Sequence, residues 1–112
     1  MRGRKPIIGI TTSNGQYKGY PSIILLRAYV DAILVAGGIP VLIPSETPET
    51  SWKQLLETLG GVLFTGGGDI SPESYNEVDH PSLMGVDRSR DQIEIPMIKQ
   101  AIQNNIPFVG IC

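Results

Sequence analysis

Four short runs rich in β-branched residues recur along the chain, Pro6–Thr12, Pro40–Pro44, Gly61–Thr65 and Pro107–Cys112, and in none of them do apolar and polar residues alternate. A strand with one wet face alternates. A continuously apolar strand has to be covered on both faces, which is the condition of parallel strands sandwiched between helices. The segments between these runs have helical period. The first extends from about Ser22 to Ala36, with Leu26, Tyr29, Val30, Ile33 and Leu34 on one stripe and Gly37-Gly38 as a stop. The second covers about Ser51 to Leu59, with Trp52, Leu55, Leu56 and Leu59 inward. The third covers about Asp91 to Asn104, with Ile95, Ile98, Ala101 and Ile102 inward, and ends at Asn104-Asn105, where asparagine tolerates a left-handed stop. The alternation predicts right-handed crossovers and an α/β fold, a doubly wound, mainly parallel sheet with helices on both faces.

Two connections are longer than the rest, Ser13 to Pro21 and Gly66 to Arg90, and both follow a strand. They therefore belong to the carboxyl edge, where open α/β sheets hold their ligands. The last run is a buried strand that stops at Cys112 with no helix after it. Residues 1–112 are therefore expected to be the N-terminal part of a single domain, cut at the turn after that strand.

Charge narrows the function. Nine basic against eleven acidic side chains, a net charge of −2, leave no electrostatic footprint for nucleic acid. The longest apolar stretch, Ser22 to Gly37, is interrupted by Arg27 and Asp31, short of the ~18 uninterrupted residues of a membrane span. Nothing at the N-terminus resembles an export signal, so a cytoplasmic location is the expectation. One cysteine and one histidine cannot make the usual zinc site. No metal or cofactor is called for, and a homodimer is left open.

Three segments have the residue types of a reactive site. Gly110-Ile111-Cys112 is the first half of a nucleophile elbow, a tight strand-to-helix turn with glycine two residues before the nucleophile. A helix following Cys112 would aim its N-terminus at the sulfur and favour the thiolate; a buried cysteine acting as a small hydrophobe suits the same spacing. Thr65-Gly66-Gly67-Gly68-Asp69 lets successive backbone N–H groups converge on an anion or a developing oxyanion, although a plain turn has the same composition. The segment has no lysine for a phosphate loop and lacks the third spaced glycine of a dinucleotide fingerprint. Arg90, Asp91 and Glu94 suit either helix initiation or bracing of the glycine loop, and Pro96 fits a helix beginning near Asp91. The lone His80 reads as a solvated loop residue rather than a base for Cys112. Tyr17 and Tyr20 suit a pocket wall or packing over the sheet edge.

Taken in order, Tyr29-Val30-Asp31-Ala32, Ala36-Gly37-Gly38-Ile39-Pro40-Val41, Gly61 to Pro72 with Tyr75, Arg90-Asp91 with Glu94, and Pro107 to Cys112 resemble the class I glutamine amidotransferase-like superfamily. Within it the likeness is to γ-glutamyl hydrolases of the γ-glutamyl-γ-aminobutyrate hydrolase type. The resemblance implies a flavodoxin-like three-layer fold and a thiol hydrolase with a Cys-His-Glu triad acting on a small γ-glutamyl substrate. It implies Cys112 as nucleophile, Gly67 and Gly68 as oxyanion-hole donors, and Asp69, Arg90, Asp91 and Glu94 as support for the site loop. The triad His and Glu fall late in such chains, after residue 112, so residues 1–112 alone are expected to be nearly inactive. The glutaminase part of an amidotransferase, or a silent relative serving as a binding module, is the alternative.

Overall fold

The computed structural model describes residues 3–65 and 81–111, with side chains described outside 81–91. In chain order the elements are β1 (Ile7–Thr11), β2 (Ser13–Tyr17), β3 (Tyr20–Ile24), α1 (Arg27–Val35), β4 (Ile39–Ile43), α2 (Glu49–Leu56), β5 (Gly61–Phe64), α3 (Pro81–Gln103) and β6 (Phe108–Gly110). The four apolar runs are strands β1, β4, β5 and β6. They form one all-parallel sheet of order β4-β1-β5-β6, in which Ile10 faces Leu42 on one side and Leu63 on the other.

In this order the chain moves from β1 to one neighbour, then reverses across β1 to β5 and continues to β6. Right-handed crossovers then place α1 on one face and α2 and α3 on the other. This is a flavodoxin-like arrangement, whose order reverses between β1 and β5. The main core lies under α2 and α3, where Ile43, Val62 and Phe64 meet Trp52, Leu56, Leu59, Ile93 and Met97. The Phe64 and Phe108 rings meet edge to face at 5.7 Å, a preferred aromatic geometry.

Two helices end as the sequence suggests, by the same geometry. After α1, Gly38 N–H donates to Ile33 O and Gly37 N–H to Leu34 O, with Gly37 at φ 93°. After α3, Ile106 N–H donates to Ala101 O and Asn105 N–H to Ile102 O, with Asn105 at φ 56°. Both are Schellman motifs, which satisfy the last carbonyls and turn the chain toward the next strand.

Four expectations are corrected. The Ser13–Pro21 connection is a hairpin: β2 and β3 pair antiparallel, Tyr17 opposite Tyr20, across Lys18 (φ 52°) and Gly19 (φ 82°). Positive φ at both turn residues matches the twist of the flanking strands. The hairpin takes the β-branched Ile23 and Ile24, so α1 begins at Arg27 rather than Ser22, and Leu26 and Leu34 are exposed instead of inward.

The third helix starts at Pro81 rather than Asp91, which leaves Pro96 inside it. Its inward stripe is Ile93, Met97 and Ala101, with Glu94 beside it, whereas Ile95 and Ile102 face out. The two stripes differ by a rotation of the helix about its axis, which periodicity alone does not select. Finally, burial on both faces is a property of the central strands. Leu42 on β4 and Phe108 and Val109 on β6 are exposed, because these two strands are the edges of the sheet here.

The rotated stripe has a measurable consequence. Met97→Ala, at a fully buried site, is expected to lower stability by about 2–5 kcal/mol. Ile95→Ala, at a site 53% exposed, should cost under about 1 kcal/mol. Urea unfolding of the two variants checks the order, and equal losses would contradict the stripe.

Candidate active site

The carboxyl ends of β1 and β5 meet where the sheet order reverses, and there the chain buries polar side chains. Thr11, Thr12, Thr65 and Glu94 are all at least nine-tenths buried. A buried hydroxyl or carboxylate is costly unless it is hydrogen-bonded, and these are. Thr12 Oγ1 donates to Ile43 O at 2.9 Å, tying the end of β1 to the end of β4. Thr65 N–H donates to Thr11 Oγ1 at 3.0 Å, and Thr65 Oγ1 donates to Thr11 O at 3.0 Å. Thr11 Oγ1 in turn donates to Glu94 Oε2 at 2.5 Å, linking α3 to both strand ends. Parallel pairing sets β1 and β5 side by side, and Glu94 reaches them from α3 because it neighbours Ile93 on the buried side.

The ends of β5 and β6 are tied as well. Ile111 N–H donates to Phe64 O at 2.8 Å. The backbone entering Cys112 therefore runs beside the backbone that continues through Thr65 into the glycine segment.

The hairpin overhangs the same edge. Asn14 Nδ2 donates to Ser45 Oγ at 3.1 Å and to Glu46 Oε2 at 2.5 Å, holding β2 against the β4–α2 connection. A cleft of about 380 Å³ opens between that connection and α3, with Glu46, Trp52, Gln92 and Pro96 in its wall. Tyr17 and Tyr20 stand outside the core at 62% and 72% exposure, with Lys18 Nζ 5.3 Å from the Tyr17 ring.

Of the residues singled out from the sequence, Glu94 is in the buried cluster. Arg90 and Asp91 lie on α3, their side chains outside the described residues. Gly67, Gly68, Asp69, Tyr75, His80 and Cys112 also lie outside them. Thr11 and Thr12 were missed, and Thr65 entered only as the first residue of the glycine segment. Their signal was a hydroxyl residue ending each of two apolar runs, which reads as ordinary strand termination until the runs are placed side by side. Among the described residues no group of three or more His, Cys, Asp or Glu side chains is placed to hold a metal, and no helix is long and apolar enough to cross a membrane.

The chain is a doubly wound α/β protein of the flavodoxin-like class, and its buried polar cluster stands at the order reversal, the position where proteins of that class place their ligand sites. More narrowly, the chain belongs to the Peptidase C26 family, whose model matches residues 6–112. It is 39% identical over 115 residues to a glutamine amidotransferase-like protein of Rickettsia prowazekii, covering 96% of this chain and 40% of that protein. It is 33% identical over 110 residues to the gamma-glutamyl-gamma-aminobutyrate hydrolase of Escherichia coli, covering 96% of this chain and 42% of the relative. It is 30% identical over 112 residues to the protein NtpR of Enterococcus hirae, at 96% and 46% coverage. The chain thus spans less than half the length of these curated relatives.

The strand-end bonds are expected to be worth measurable stability. Thr12→Val keeps the shape and removes the donor to Ile43 O, leaving a buried carbonyl short of a partner, and should destabilise by about 1–3 kcal/mol. A thermal-unfolding midpoint unchanged from the parent would show that this bond contributes nothing.

Proposed function

We propose that the whole protein is a thiol hydrolase of γ-glutamyl amides in which Cys112 is the nucleophile. The observation that carries the reading is the Ile111–Phe64 backbone bond, because it brings the strand leading to Cys112 alongside the strand leading to Gly67 and Gly68. A nucleophile and its oxyanion donors have to converge on one carbonyl group, and adjacent strand ends at the carboxyl edge suit that convergence. Family membership and the name of the Escherichia coli relative supply the γ-glutamyl substrate class.

The Cys112 thiolate attacks the γ-carbonyl carbon. The carbonyl π electrons move onto oxygen, and the N–H groups of Gly67, Gly68 and the residue after Cys112 stabilise the resulting oxyanion. The oxyanion re-forms the carbonyl as the C–N bond breaks, and the leaving amine takes a proton from the conjugate acid of a histidine base. This leaves a γ-glutamyl thioester. Water, deprotonated by the same histidine, attacks the thioester and restores the thiolate with release of glutamate. The histidine and the glutamate that orients it lie in this reading beyond residue 112. Asp69, Arg90 and Asp91 support the glycine loop.

Two relatives' names favour a second reading in which the substrate is glutamine and the released ammonia is used elsewhere: a glutamine amidotransferase-like protein of Rickettsia prowazekii and a glutamine amidotransferase of Mycobacterium tuberculosis. Comparing kcat/KM for γ-glutamyl-γ-aminobutyrate and glutamine separates the two.

Intact-mass analysis after treatment with a γ-glutamyl chloromethyl ketone should show one adduct at Cys112, with turnover lost in parallel. Cys112→Ala should lower kcat by about 10³-fold or more. Absence of the adduct while a small neutral thiol reagent still modifies Cys112 would count against the nucleophile.

A further inference from the structure

We propose that Glu94 is a positioning residue, which sets the end of β5 through the hydroxyl of Thr11. The role rests on the hydrolase reading above, since it concerns the peptide from which the glycine segment continues.

The proton inventory carries the argument. The Thr11 hydroxyl has one proton and two lone pairs. Three acceptors lie in reach: Glu94 Oε2 at 2.5 Å, Thr65 Oγ1 at 3.4 Å and Leu63 O at 3.5 Å. The short bond to the buried carboxyl group takes the proton. A lone pair is thereby left for the Thr65 N–H at 3.0 Å, while the Thr65 hydroxyl donates to Thr11 O. A carboxylate acceptor also polarises the Thr11 O–H, which makes its oxygen a better acceptor for the Thr65 N–H.

Replacing the Glu94 carboxyl group with a neutral amide leaves a weaker acceptor, so the Thr11 proton is free to turn toward Leu63 O on β5 or Thr65 Oγ1 just after it, and the Thr11 lone pair is no longer held toward the Thr65 N–H. Burying a carboxyl group is expensive, and an apolar residue would join two strands to a helix at lower cost. The cluster stands at the order reversal of the sheet, one residue before Gly66. There a misplacement on the order of 1 Å is enough to cost about 10²-fold in rate.

The test uses the whole protein with Glu94→Gln, Thr11→Val and Thr11→Ser. Amide exchange at Thr65 should accelerate about tenfold or more in the first two and stay near the parent's rate in Thr11→Ser, which keeps the hydroxyl. With a γ-glutamyl amide as substrate, kcat should fall about tenfold in Glu94→Gln and about a hundredfold in Thr11→Val, with KM within about threefold of the parent's. Thr11→Ser should recover most of the kcat.

Folded Glu94→Gln and Thr11→Val proteins with Thr65 exchange and kcat both within about twofold of the parent would overturn the proposal. So would a loss confined to KM, a kcat loss that Thr11→Ser shares, or outright unfolding of Glu94→Gln, which would make the residue one of stability alone. A parent protein that neither forms the Cys112 adduct nor turns over γ-glutamyl amides would defeat the hydrolase reading instead. Thr65 exchange would still decide what Glu94 does.

Discussion

The parallel pairing of β1 with a strand on each side is the constraint on which the rest of the molecule hangs. Because β1 pairs with both β4 and β5, the chain reverses direction across the sheet after β4, and the crossovers on either side of the reversal lie on opposite faces. In doubly wound sheets the connections diverge above the carboxyl ends of the strands at such a reversal, here those of β1 and β5. The buried threonines and Glu94 occupy this position. They replace ladder hydrogen bonds that the strands no longer make where they end, so a polar site is built without leaving strand-end groups dry and unpaired.

The helices contribute unequally. On the face of α2 and α3, Trp52, Leu56, Ile93, Met97 and Ala101 close over β4, β1 and β5. On the opposite face α1 has no fully buried residue, and Val35 is 88% exposed. The stiff side of the sheet is thus the side from which Glu94 reaches the strand ends. A site held by a packed helix keeps its geometry better than one held by a loop, and here the same helix supplies apolar anchors and the carboxyl group from adjacent positions.

The hairpin shows how a site can be extended without disturbing the sheet. It leaves β1 immediately after Thr12, turns at Lys18-Gly19, and is tied by Asn14 to the β4–α2 connection. It reaches over the carboxyl edge while α1 still starts in time to complete its crossover. Nothing in Ser13–Tyr17 is strongly apolar before the final tyrosine, and the turn is Lys-Gly rather than Asn-Gly, so the usual hairpin signals are weak.

What the sequence determined by itself was the number and parallel character of the sheet strands and the Gly37 and Asn105 helix stops. These follow from local chemistry: continuous β-branched runs and residues that accept positive φ. Tertiary structure decided which face of α3 turns inward, that Ile23 and Ile24 pair in a hairpin instead of starting a helix, and that Thr11, Thr65 and Glu94 meet. Helical periodicity defines a stripe only up to rotation about the axis, and a threonine ending a strand becomes part of a site only when a second strand and a carboxyl group are brought against it. Those contacts join residues far apart in the chain, and they exist only once the sheet order has been set.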